Sequence, residues 1–229
     1  MFVRRDRLPT NRSPKKLSLW SLLKNNIGKD LSKIALPIVI NEPLSGLQRC
    51  CEDMEYTVLL DKAADAESST LRLAYLACFA ISNYSTTMTR VNKPFNPILG
   101  ETYELIRYAD IAKEGSIIMI QHRPERGDGF RLFGEQVSHH PPISVMQSES
   151  LAGKWDWWQT VLLGSSFRGK DMEIYPLGIT HVILKSGGKQ EHYTFRKVTC
   201  CVRNIIVGRS WVDNVNLCPQ FIPNINVWF

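Results

Sequence analysis

GEQVSHHPPIS, residues 134–144, sets two histidines side by side and closes them off with two prolines. In an extended strand adjacent side chains point to opposite faces. Pro141 and Pro142 bias His140 towards extended backbone and end the strand. The pair is therefore expected at a strand end, on a barrel rim. For His139 and His140 to share one metal ion the backbone would have to bend. The other histidines, His122, His181 and His192, form no HxH or HExxH pattern, so a metal site is disfavoured. A Ser138-His139 nucleophile pair is equally poor, because neighbours in sequence rarely meet as nucleophile and base and no GxSxG elbow is present. An anion site fits better. Imidazole nitrogens donate to phosphate oxygens, and a phosphomonoester offers about −1.5 to −2 charges and three strong acceptors. Such a site wants a cation as well, and Lys93 in NKPFNPILGE, held in a loop stiffened by Pro and Asn, is the candidate.

The surroundings of this stretch read as β-structure. ETYELIR, SIIMIQHR, FRLFGEQVS, PISVMQSES, KWDWWQTVLL, MEIYPLG, THVILK, HYTFRK and CCVRNIIVG are short runs with alternation or with β-branched and aromatic residues. Gly, Asp and Ser separate them, which predicts an antiparallel meander or barrel. Trp155 and Trp157 fall on one face, as core residues first and as the lining of a ligand tunnel second. Residues 110–129 read as a surface hairpin before the signature strand.

Upstream the period changes to helical. Leu44, Leu47, Cys51, Met54, Val58 and Leu59 predict a helix between Pro43 and about Ala66. A second runs from Ser69 to Thr89, with Leu73, Leu76, Ala77, Ala80 and Ile81 on one side. Together they make a scaffold layer. Before them LSLWSLLKNNIGKDL places Leu19, Leu22, Leu23 and Ile27 at helical spacing beside Trp20, with Ser18 as N-cap and Gly28 as stop. This segment is too short to stand alone, so it needs an apolar partner, either the protein or a membrane.

Composition narrows the class. With 44% apolar and 22% charged residues the chain is an ordinary globular one. No apolar run approaches the roughly 20 residues that span a bilayer, and the basic start has no apolar h-region behind it, so a cytoplasmic protein is expected. The six cysteines show no CxxC spacing and read as small buried thiols. Charge is uneven. Residues 1–33 carry nine basic residues against Asp6 and Asp30, a net +7, while the whole chain is +6 and the other 196 residues net to −1. Such an end attracts anionic surfaces, lipid headgroups or nucleic acid.

EQVSHHPP, Glu135 to Pro142, is similar to the signature of the oxysterol-binding protein family. In the same order, LSKIALPIVINEPLS (31–45) resembles the family's post-lid segment, KPFNPILGETYEL (93–105) the loop that opens the barrel, and NIIVGRSW (204–211) a later strand. The likeness runs from about Leu17 to Trp211. It implies an α+β fold: an antiparallel β-barrel or meander with an N-terminal lid, a helical layer and a lipid tunnel inside. It divides the chain into a basic, flexible 1–16 and a lipid-binding domain over 17–229. Within that domain lie a lid (17–28), a helical part (43–90), barrel strands (101–211) and an atypical tail (212–229). Later family strands and a C-terminal helical part, with a Lys, Glu and Arg that complete the headgroup clamp, are not found here, so the barrel is expected to be incomplete.

By residue, the resemblance makes His139, His140 and Lys93 the binders of the inositol phosphate of phosphatidylinositol 4-phosphate. It makes Leu19, Trp20, Leu22, Leu23 and Ile27 the apolar face of the lid. It implies a lipid-transfer protein, not an enzyme, with no catalytic residues, no cofactor and no metal. The protein would move sterol between membranes in exchange for phosphatidylinositol 4-phosphate. Exchange of phosphatidylserine, or a membrane-surface adaptor role without transfer, are the alternatives. The expected partners are sterol, phosphatidylinositol 4-phosphate and anionic membrane surfaces, with no nucleic acid. The chain is expected to be a monomer, peripheral at the endoplasmic reticulum, the Golgi or other contact-site membranes.

Overall fold

Ser45 starts the first helix, and the way it does so shows why the helical layer is shorter than the periodicity predicts. In the computed structural model, which describes residues 38, 41–85, 92–108, 129–204, 211–215 and 222–224, Ser45 accepts from the Gln48 backbone N–H while its own N–H donates to Gln48 Oε1 at 2.9 Å. This reciprocal cap satisfies two orphan donors. Ahead of it Asn41–Ser45 is a strand, β1, which includes Pro43. Then come helix α1 (Gly46–Cys51), a 3₁₀ turn (Glu52–Met54) and helix α2 (Val58–Asp65). The single helix expected over 43–66 is therefore broken. Leu47, Cys51 and Met54 are buried at helical spacing, but the next buried side chain is Leu60, while Tyr56 and Val58 point to solvent. The apolar stripe slips phase at that point, and the backbone turns with it.

Helix α3 begins as expected at Ser69, with Ser68 accepting from the Leu71 N–H at 3.1 Å, but it stops at Ser82. Two tight turns, Tyr84 N–H to Ile81 O and Ser85 N–H to Ser82 O, wind it down. Its inner face is Leu76, Phe79 and Ala80, whereas Leu73 and Ile81, expected on that face, are exposed.

The strands are β2 (Lys93–Phe95), β3 (Thr102–Tyr108), β4 (Gly129–His139), β5 (Pro142–Ser150), β6 (Trp155–Phe167), β7 (Met172–Pro176), β8 (Thr180–Ser186), β9 (Lys189–Phe195), β10 (Thr199–Arg203), β11 (Trp211–Val215) and β12 (Ile222–Asn224). β2 lies parallel to β1. The other ten form one antiparallel sheet that does not close among the described residues. The expected antiparallel meander is thus present, with the helices on one face.

β6 is the branch point. Its first half, Trp155 to Gln159, pairs with β8, which leads to β9 and β12. Its second half, Leu163 to Phe167, pairs with β7, which leads to β10 and β11. The β8–β9 hairpin closes on Gly187-Gly188, both at positive φ (56° and 78°), the requirement of a two-residue turn matched to strand twist.

One core joins sheet and helices. Leu47, Met54, Leu60, Leu76 and Phe79 pack with Phe130, Leu132, Met146, Trp155, Trp157, Val182 and Leu184. Both tryptophans are fully buried, and Trp155 Nε1 donates to Asp61 Oδ1 at 2.9 Å. Arg72 of α3 grips Glu191 of β9 through two hydrogen bonds of 2.9 Å, which ties the helical layer to the first branch. Of the five cysteines among the described residues, Cys51 and Cys201 are buried and Cys50 and Cys200 partly so, whereas Cys78 is exposed, against the expectation of buried thiols; Cys218 lies outside the described residues.

Candidate functional site

β4 carries the signature, and its alternation sets what faces where. Phe130, Leu132, Gly134 and Gln136 point inward in turn, while Arg131, Phe133 and Val137 point out. Pairing with β5 is regular as far as Gln136↔Ser144, then slips by one residue to Ser138↔Ile143. A bulge at Val137 thus re-aims the end of the strand, the usual effect of such an insertion beside a site. The hairpin closes at His139↔Pro142, leaving His140 and Pro141 as its turn, with a cis His140–Pro141 bond.

This corrects the expectation that the two imidazoles face opposite ways. Their ring centroids lie 4.6 Å apart at an interplanar angle of 67°. The strand ends at His139, and His140 belongs to the turn, so strand alternation no longer governs it. His139 is half-buried and its Nδ1 lies 3.1 Å from the Pro97 carbonyl. A carbonyl only accepts, so Nδ1 carries a proton and donates to it, and Nε2 is left for another partner. His140 is exposed.

Pro97 belongs to the loop that begins at Lys93, and this loop is fastened to the same rim. Lys93 opens β2, exposed and in register with Asn41 of β1. Beyond it Asn96 Oδ1 accepts from Gln136 Nε2 at 3.5 Å. The Gly100 N–H donates to Gln136 O at 2.9 Å, and the Gln136 N–H to Glu101 O at 3.0 Å. The loop itself is folded by the Ile98 N–H on Glu101 Oε2 at 3.0 Å. The segment bearing Lys93 and the hairpin bearing His139 and His140 therefore share one end of the sheet, which the sequence alone does not place together. The residues expected to form the lid, Leu19, Trp20, Leu22, Leu23 and Ile27, lie outside the described residues, as do the basic N-terminal residues and all but Gly129 of the hairpin expected over 110–129.

The rim offers imidazole and ammonium donors and a stiff backbone, which suits an oxyanion. Burial pushes the Cys50 and Cys51 thiols up to about 12, with Asp53 raising Cys50 further, so both stay protonated and unreactive. Among the described residues no three His, Cys, Asp or Glu side chains converge as a metal site.

Two polar clusters escape a reading by motif. Asp53 Oδ2 accepts from Gln159 Nε2 at 2.8 Å and pairs with Lys197 Nζ, and the Thr180 hydroxyl donates to Gln159 Oε1 at 3.4 Å. Elsewhere, His181 and His192 stack on Trp158, with centroids 4.8 and 5.5 Å away, and His181 Nδ1 lies 3.0 Å from His192 Nε2. The second cluster was within reach, because the Gly-Gly turn fixes Ser186↔Lys189 and with it Ile183↔His192. That register places His181 and His192 diagonally on one face.

Burial depresses the pKa of both His181 and His192, and for His181 the neighbouring ring adds to it. A depressed histidine favours the neutral form in the folded state, so its share of stability is present above the unfolded value near 6.5 and is lost as pH falls below it. The melting temperature is expected to drop between about pH 7.5 and about pH 5.5. Thermal melts of a His181→Gln/His192→Gln variant should show a flatter slope over that window, whatever its midpoint at neutral pH. An unchanged slope refutes the assignment.

The comparisons with known proteins follow the same residues. The oxysterol-binding protein family model matches residues 18–218. Oxysterol-binding protein-related protein 3 of Mus musculus is 48% identical over 199 residues, which cover 86% of this chain and 21% of that protein. Among solved structures, the Osh1 ORD domain in complex with ergosterol superposes with a TM-score of 0.77 at 41% identity, covering 93% of this chain and 47% of that one. The Osh3 ORD in complex with PI(4)P from Saccharomyces cerevisiae gives 0.74 at 34% identity, covering 93% and 51%. The chain thus spans about a fifth of that relative and about half of the solved domains.

Proposed function

This chain belongs to the oxysterol-binding protein family, and from that premise we propose that it binds lipid and transfers it between membranes, carrying sterol in exchange for phosphatidylinositol 4-phosphate. The observation that carries the headgroup half is the rim geometry. His139 and His140 stand ring to ring, and His139 is bonded to the loop that starts at Lys93. In this reading the three side chains clamp the phosphate on the inositol ring, His139 donating from Nε2–H with both of its ring nitrogens protonated in the complex. The sterol half draws on the ergosterol complex of Osh1. Residues 17–28 act as the lid of a lipid-binding domain over 17–229. The protein works at the membrane surface, drawn there by the basic N-terminal residues. No helix among the described residues is long and apolar enough to cross a bilayer.

The test is a lipid-binding comparison with the full chain. His139→Ala/His140→Ala should weaken binding of a short-chain phosphatidylinositol 4-phosphate by about tenfold or more, since two hydrogen bonds to a charged group are removed. Binding of a fluorescent sterol should stay as it is. Phosphoinositide binding that survives the double substitution would sink the site. Sterol binding that is absent from the unsubstituted chain while phosphatidylserine is taken up would replace sterol as the second lipid. Vesicle binding that is lost in high salt, with neither lipid extracted, would favour a surface adaptor.

A further inference from the structure

We infer that Gln136 is a positioning residue for the headgroup site: its side chain clasps the Lys93 loop to the histidine hairpin and sets the distance between the Lys93 ammonium and the imidazoles. This deepens the phosphoinositide reading and rests on it.

Gln136 is the fourth residue in the inward row Phe130, Leu132, Gly134, Gln136, and it is 1% exposed. An amide buried there costs free energy unless it is bonded. Its Oε1 accepts from the Ser144 hydroxyl directly across on β5, and its Nε2 donates to Asn96 Oδ1 at 3.5 Å. Both main-chain groups of the same residue hold the far end of the loop, through Gly100 and Glu101. One residue thus touches the hairpin's second strand and both ends of the 96–101 segment. The bulge at Val137 follows immediately and re-aims His139 towards Pro97.

The main-chain bonds extend the β3–β4 ladder and any residue could make them. Only the amide can bond Ser144 and Asn96 at once. Gln136 itself does not reach the rim. It acts through the loop that carries Lys93 and through the hairpin that carries His139, which is how a buried supporting residue tunes a site made of exposed ones.

The clasp is tested with a double-mutant cycle in the full chain, read by titration with short-chain phosphatidylinositol 4-phosphate. Gln136→Leu keeps the volume and removes both side-chain bonds. Asn96→Ala removes the other end of the clasp from an exposed position and leaves the buried amide in place, so it stays informative if the Leu variant folds poorly. Each is expected to lose roughly tenfold in affinity, and the pair together no more than either alone. Fluorescent-sterol binding is expected to hold, which a general loss of structure would not allow. Either single variant binding like the unsubstituted chain, or losses that multiply in the double variant, would overturn the inference. His139→Ala/His140→Ala run alongside separates the two claims. If it abolishes binding while the clasp variants do not, only the positioning role fails. If it too leaves binding unchanged, the phosphoinositide reading fails and the clasp falls with it.

Discussion

Lys197→Ala lowers the unfolding free energy of this protein by about 3 kcal/mol, the lower end of what breaking a buried ion pair costs. Lys197 lies between β9 and β10, where the chain crosses from one branch of the sheet to the other. Its Nζ pairs with Asp53 of the 3₁₀ turn, with side chains 25% and 10% exposed. One residue on, the Val198 N–H donates to the Tyr84 hydroxyl at 2.9 Å. The crossing is thus held to the helical layer at two points. Removing the ammonium leaves the Asp53 carboxylate mostly buried, with the 2.8 Å bond from Gln159 as partial compensation. The partial exposure of Lys197 lets water soften the loss, which keeps the cost at the bottom of the range.

The charge state follows the same contacts. Burial pulls the Lys197 pKa down, but the charge of Asp53 and the hydrogen bond to it, with help from neighbours, hold it above its ordinary 10.5. Its contribution is therefore full below that value and fades as pH rises through the higher folded one. Asp53→Asn with Lys197→Met removes both charges while keeping an acceptor for Gln159. It should recover most of the loss, because an uncompensated buried charge costs far more than a neutral pair. Urea unfolding of the three proteins measures this. A Lys197→Ala midpoint indistinguishable from that of the unsubstituted chain would mean that the pair is a surface contact.

The sequence made the sheet legible because strand alternation survives in the core. Phe130, Leu132 and Met146 are inward at the period-two positions, and the Gly-Gly turn fixes a register. The helical layer was harder. Val58, Leu73 and Ile81 sit at helical spacing yet face outward, and spacing alone cannot say which apolar stripe finds a partner. For the proposed site, the signature pointed to His139 and His140, and the KPFNPILGETYEL segment to Lys93. It could not give the ring-to-ring approach, which depends on a one-residue bulge and a turn. Nor could it give the docking of the loop at Pro97, which is a contact across 42 positions of chain. Asp53 and Lys197 are 144 positions apart, and nothing local to either residue announces the other. Buried polar pairs of this kind become visible only when the fold brings them together.

Gly178→Ala is the substitution expected to damage the fold most for its size. Gly178 lies between β7 and β8, opposite the middle of β6, where the sheet forks. The chain is pulled tight there by the Leu177 N–H on Leu162 O at 2.8 Å, with the Thr160 N–H reaching Ile179 O at 3.4 Å. A Cβ on Gly178 would stand 1.7 Å from the Thr160 carbonyl oxygen and 2.8 Å from its carbon. Those are backbone atoms of the central strand, so no side chain can swing aside to make room. The cost exceeds the roughly 1–3 kcal/mol of ordinary overpacking. Gly153→Ala is the matched control. That glycine sits at φ 68° with nothing near its missing Cβ, so alanine there pays only the left-handed backbone penalty of about 1–2 kcal/mol. Chemical denaturation should place Gly178→Ala well below Gly153→Ala. An insoluble Gly178→Ala product beside a soluble Gly153→Ala would show the same ordering, and equal stability of the two would mean that the fork opens without resistance. The two kinds of variant also separate the fold from the proposed function. If the chain binds both lipids as proposed, Gly178→Ala is expected to lose them together, because the fork shapes the whole sheet, whereas the histidine and clasp variants are expected to lose the phosphoinositide alone.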